Sequence, residues 1–145
     1  MWNSRPAARR MTRAVAAVLT LLSVPVLANE VFPYDRQWLL DVAPMGKRLR
    51  TPSITIDQDG SARIDLWCRT ASAQVTASGD QIRIVPAPLP AGLPQYMGEG
   101  QCAPERMDAD VTLLNALAQV TTWRMAGRDL TLEGPVALRF LPDDH

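Results

Sequence analysis

Few residues in this chain have the type and spacing for chemistry. Cys68, in LWCRT, and Cys102, in GEGQCAPERM, are the two cysteines. By type alone they serve as a catalytic thiol, as metal ligands or as a disulfide. Glu105, Asp108 and Asp110 follow Cys102 closely, and paired acids do general acid–base work. The one histidine is His145, the last residue, where a chain usually frays. A Cys–His pair, a Ser-His-Asp triad and a histidine metal site therefore each lack an essential part. No further ligands surround the cysteines at metal-binding spacing. The stretch DQDG begins like a calcium loop, but the positions that motif fills with glycine and glutamate are Ala62 and Cys68. It reads as a hairpin turn. The expectation is a protein with no catalytic residue, no metal and no cofactor.

The N-terminus bears on what the cysteines do. MWNSRPAARRMTR is basic, and AVAAVLTLLSVPVLA, from Ala14 to Ala28, is apolar and ends in small residues suited to signal peptidase. Residues 1–28 are expected to be a signal peptide cut before Asn29, with Met11 an alternative start. The apolar stretch is interrupted by Pro25 and is short of the roughly 20 residues that span a bilayer. No stable membrane anchor is expected after cleavage, and the protein is expected to be periplasmic or secreted. In such an oxidising compartment an isolated cysteine pair reads as a structural disulfide. Closing a loop of about 34 residues would stabilise the fold by roughly 3 to 4 kcal/mol in the chain-entropy model.

Charge narrows the partners. Arg5, Arg9, Arg10 and Arg13 all lie before residue 29, which leaves 15 − 4 = 11 basic residues against 15 acidic ones in the body. A mildly acidic body lacks the basic footprint of a nucleic-acid binder. An envelope protein or a lipid is the expected partner class.

The elements that must position these residues read as short strands and one helix. QWLLDV, TPSITI, ARIDLW, AQVTA, QIRIV, TTWRM, LTLE and VALRFL carry strand patterning and are separated by turn residues. From Pro104 to Thr121, Met107, Val111, Leu114 and Leu117, with Leu113 and Val120, recur at helical spacing and are expected to be buried. Glu105, Asp108 and Asp110 then read as capping and solubility residues near the helix start. The expected fold is α+β: an antiparallel sheet or cracked β-barrel of about seven strands with one packed helix. Residues 29–145 form its single domain. The proline-rich stretch from Val85 to Gly100 reads as a spacer loop, with a recognition loop as the alternative.

Strict alternation along ARIDLWCR places Trp67 and Arg69 outward together, opposite Ile64 and Leu66. An exposed tryptophan beside arginines is a candidate contact surface. The competing expectation is that the strand bulges near the disulfide and buries Trp67 as core.

Trp38-Leu39-Leu40 followed by Gly46, the hairpin PSITIDQDGSARIDLWC, and a cysteine-led helix running into LLNALAQVTTWRMAGRDLTL together resemble the META domain, the family of the heat-shock protein HslJ. The resemblance runs from about Phe32 to Pro142. Trp67-Cys68-Arg69 stands where the family usually has Gly-Cys-Asn, and Gly98 replaces a threonine before the second cysteine. The resemblance implies a cracked antiparallel barrel with a packed helix, a retained cysteine pair, and links to envelope stress rather than to a defined reaction. The expected function is a stress-related, non-enzymatic envelope binding module. The alternatives are an inhibitor of a lytic or proteolytic enzyme, or a carrier of a lipid or small apolar ligand.

Overall fold

The computed structural model describes residues 30–45, 50–91 and 102–144. The leader, Gly46, Gly98 and His145 lie outside the described residues. Every segment with strand patterning forms a strand: β1 (Gln37–Leu40), β2 (Ser53–Ile56), β3 (Ser61–Asp65), β4 (Thr70–Ser78), β5 (Gln81–Pro86), β6 (Thr122–Ala126), β7 (Asp129–Glu133) and β8 (Leu138–Pro142). There are eight, against the expected seven or so. Each pairs antiparallel with its neighbours in sequence. Trp38 opposite Pro142 and Leu40 opposite Phe140 join β1 to β8 and close the barrel.

The period-two patterning fills the closed barrel's interior. Trp38, Ile54, Ile56, Ile64, Ile84, Leu130, Leu132 and Phe140 all turn inward and are essentially inaccessible. An eight-stranded barrel is just wide enough for side chains to fill it. The small inward residues Ala62, Ala71 and Ala73 make room for the large ones. Gly60 turns the chain between β2 and β3 at φ +86°, and a β-carbon there would lie 2.5 Å from the Val75 carbonyl oxygen. Only glycine meets both demands.

The ring is thinnest between β5 and β6. The strand register there is one pair, Gln81 opposite Thr122, flanked by backbone bonds from Ile82 N to Thr121 O at 3.0 Å and Trp123 N to Asp80 O at 2.9 Å. At this seam the chain leaves the sheet, forms α1 (Pro104–Ala118) and returns to pack along β5. Pro104 begins the helix, where its missing N–H leaves no bond unmade. Ala103 at the N-cap gives no side-chain hydrogen bond. At the other end, Gly134 lets the β7–β8 turn approach closely, since a β-carbon would lie 2.7 Å from the Gln119 carbonyl oxygen.

The helix face differs from the expected one. It buries Asp110, Leu113, Leu114 and Leu117, while Val111 is 45% exposed and Met107 is half-buried. Asp110 is in phase with Leu113, Leu114 and Leu117 at the i, i+3, i+4, i+7 positions, so a carboxylate fills a core position and rotates the buried face away from Val111. Asp110 is therefore not a capping or solubility residue. The helix also ends at Ala118 rather than Thr121, because Thr121 already bonds through its N–H to Glu133 O, at the start of the β6–β7 pairing.

Leu117 is 1% exposed, so Leu117→Ala is expected to destabilise the protein by about 2 to 5 kcal/mol, as a core truncation does. Val111→Ala is expected to change stability by no more than about 0.5 kcal/mol. Chemical denaturation of the two variants checks the rotated face; a costly Val111→Ala beside a silent Leu117→Ala contradicts it.

Candidate functional site

The candidate residues Trp67, Cys68 and Arg69 lie in the connection between β3 and β4. The strand ends at Asp65, and Leu66 N donates to Arg69 O at 2.8 Å, which closes a tight turn. Alternation stops there, so Trp67 and Arg69 no longer share an outward face. Arg69 is 7% exposed, a correction to its expected place on an open surface. Trp67 is half-buried and packs one side against the core.

The turn is held from behind by Asp110. Its Oδ1 accepts a hydrogen bond from Cys68 N at 3.2 Å, and its Oδ2 accepts from Arg69 N at 3.1 Å and Arg69 Nε at 3.2 Å. A buried carboxylate is costly unless its oxygens are occupied by donors, and here they are. The rest of the guanidinium spans two further segments. Nη1 donates to Pro90 O at 3.2 Å and Nη2 to Met107 O at 3.1 Å. Arg69 thus ties the turn to the first turns of α1 and to the chain leaving β5, a task suited to its planar fork of donors.

The disulfide lies beside this clamp. Cys68 and Cys102 are bonded, with Cα atoms 5.9 Å apart, within the ordinary range. Both are buried. The bond and the Asp110 carboxylate therefore fix the same turn to the same helix start, one covalently and one through hydrogen bonds.

With its two neighbours in the turn, Leu66 and Cys68, fully buried, Trp67 has little freedom. It projects along the flank of α1 and forms one wall of a groove of about 660 Å³ between the helix and the β1 and β8 side of the barrel. Leu40, Leu113, Ala116 and Leu138 supply apolar surface, and Glu105 and Asp108 stand on the helical side. Val42 and Val136 border it with partly exposed side chains. The three described tryptophans differ in one respect. Trp38 Nε1 donates to Pro33 O at 3.4 Å and Trp123 Nε1 to Gly79 O at 2.9 Å, but the Trp67 indole N–H meets no acceptor among the described residues. A second, smaller groove lies on the other flank, between Pro88, Leu89, Val111 and Leu114.

Sequence reasoning found the tryptophan and the cysteines but missed Asp110, Asp108 and Glu105 as parts of this region. The signal available was phase: Asp110 falls on the apolar stripe, whereas Glu105 and Asp108, three residues apart, share the adjacent flank.

Beneath the turn, Asp65 accepts hydrogen bonds from Thr70 Oγ1 at 2.8 Å and from Arg50 and Arg63 at 3.1 Å. Burial pushes its carboxyl up, but hydrogen bonds from Arg63 and Thr70 and the charges of Arg63 and Arg50 outweigh it, so its pKa falls below the ordinary value.

Comparison with known proteins supports the fold. A family model described as the META domain matches residues 31–144. A solved structure described as "NMR structure of the protein" is similar with a TM-score of 0.51 at 18% identity, covering 73% of this chain and 87% of that one. At that identity the likeness shows the fold alone. No curated protein matches the sequence.

Because the Asp65 pKa is lower folded than unfolded, its contribution is present above the ordinary carboxylate range and is lost as pH falls through its own, lower pKa. Asp65→Asn is expected to be less stable than the parent at neutral pH, with the gap closing in acid. Denaturation across pH checks this, and a gap that persists or widens in acid contradicts it.

Proposed function

This chain belongs to the META-domain family, and on that premise we propose that it is an exported, non-enzymatic, stress-related binding module of the cell envelope whose ligand lies in the Trp67 groove. One observation carries the reading: a half-buried tryptophan, whose indole N–H meets no acceptor among the described residues, lines an otherwise largely apolar groove. Clefts of roughly 300 to 1,000 Å³ with apolar walls and a few polar groups are the usual form of a small-molecule site. A tryptophan with one apolar face and one free donor suits an amphipathic ligand.

The carrier alternative takes a particular form here. The barrel interior is filled by Trp38, Phe140 and the inward isoleucines and leucines, so a cargo would lie against the outer groove rather than inside the barrel. An inhibitory role would draw on the proline-rich loop, of which residues 92–100 lie outside the described residues. The leader, an oxidising compartment and the disulfide form one consistent set, in which export allows the bond and the bond helps position the groove.

The test is to titrate the mature protein, residues 29–145, with a small-molecule extract of the envelope while following indole N–H resonances. The Trp67 signal and amides on the groove side of α1 should move, the Trp38 and Trp123 signals should stay, and Trp67→Ala should abolish the response. Shifts centred on the Pro88–Val111 flank, or an undiminished response in Trp67→Ala, would move the site elsewhere.

A further inference from the structure

We infer that the groove selects amphiphilic cations: small molecules with an apolar body and an ammonium head. This deepens the binding reading above and rests on it. The inference comes from the charges that border the groove. On the barrel Asp41 and Asp129 meet Arg139, Asp65 meets Arg50 and Arg63, Glu133 meets Arg124 and Asp144 meets Arg128, whereas Asp57, Asp59 and Asp80 stand on its turns without an ion pair among the described residues. Glu105 and Asp108, both exposed, have no ion-pair partner among the described residues. They are also the two carboxylates among the described residues that line the groove.

Their position matches a bound cation. A spacing of three residues puts both on one face of α1, across the groove from β1 and β8. The helix start draws some of their field to itself, equivalent to about half a unit charge, which leaves a net negative flank of more than one charge. Trp67 adds an aromatic face, which attracts ammonium groups further. Leu40, Leu113, Ala116 and Leu138 offer nothing to a second charge but suit a hydrocarbon body. A ligand carrying a carboxylate or phosphate would place like charges together, with no basic side chain among the described residues that line the groove, and is disfavoured on the same grounds. The volume of about 660 Å³ suits one small molecule.

Three probes with one tail and three heads separate the possibilities: octyltrimethylammonium, 1-octanol and octanoate, each titrated into the mature protein by calorimetry and by the Trp67 indole resonance. The cation should bind about fivefold tighter than octanol, as expected for two exposed charge contacts, and octanoate should bind more weakly than octanol. Glu105→Gln with Asp108→Asn should erase the cation's advantage and leave octanol unchanged. Val136, 56% exposed at the groove border, allows a second check that does not disturb packing. Val136→Lys should weaken octyltrimethylammonium and Val136→Glu should strengthen it. Equal affinities for all three probes, or a preference for octanoate, overturn the charge selectivity and leave the groove standing. No shift at Trp67 with any probe overturns both readings.

Discussion

The carboxylate of Asp110 is the interaction on which the seating of α1 against the β3–β4 turn, and with it the Trp67 groove, depends. It lies fully buried in the second turn of α1 and receives two backbone N–H groups and one guanidinium N–H from the turn between β3 and β4. Removing a charge from water costs several kcal/mol, and replacing one partner in such a set usually costs about 3 to 5 kcal/mol. The contacts therefore add little net stability when intact, but they tie the helix to one specification of the turn, because losing either partner is costly. That specification matters because, the disulfide at Cys102 apart, little fixes the start of α1. Ala103 gives no capping side chain, and the seam the helix leaves has a single residue pair.

The clamp and the disulfide act in different states. The bond between Cys68 and Cys102 restricts the unfolded chain by closing a long loop. The Asp110 contacts exist only once the fold is made. Together they turn a surface connection into a rigid ledge, and Trp67 projects from that ledge beside Leu66 and Cys68, both buried. A binding site gains from such preorganisation, because less freedom is lost when a ligand arrives. Two neighbours of Cys68 thus supply the aromatic wall of the groove (Trp67) and the guanidinium that meets Asp110 (Arg69).

Much of the fold was legible in the sequence because its rules are local. Alternation in TPSITI, ARIDLW and QIRIV marked strands, and helical spacing after Pro104 marked α1. What escaped depends on contacts between distant segments. Closure of β1 on β8 pairs Leu40 with Phe140, a hundred residues apart, and no local pattern encodes that register. The strand-patterned segments themselves number eight, one more than the expected seven or so. Arg69 was read as exposed because alternation was extended through Leu66, where the chain turns. Val111 was read as buried because the apolar spacing fitted two faces of the helix, and only Asp110's partners decide between them. In both cases a charged residue occupied a buried position, the circumstance in which hydrophobic patterning gives least guidance.

The central claim is that the Asp110 carboxylate fastens the β3–β4 turn from within. Native-state hydrogen exchange at the Cys68 and Arg69 amides tests it most directly, because exposed turn amides otherwise exchange quickly. The account predicts that both amides exchange as slowly as those of the barrel strands, and that Asp110→Asn speeds them selectively while Ile64 and Leu132 stay protected. Fast exchange at Cys68 and Arg69 in the parent protein, or unchanged protection in Asp110→Asn, would contradict it.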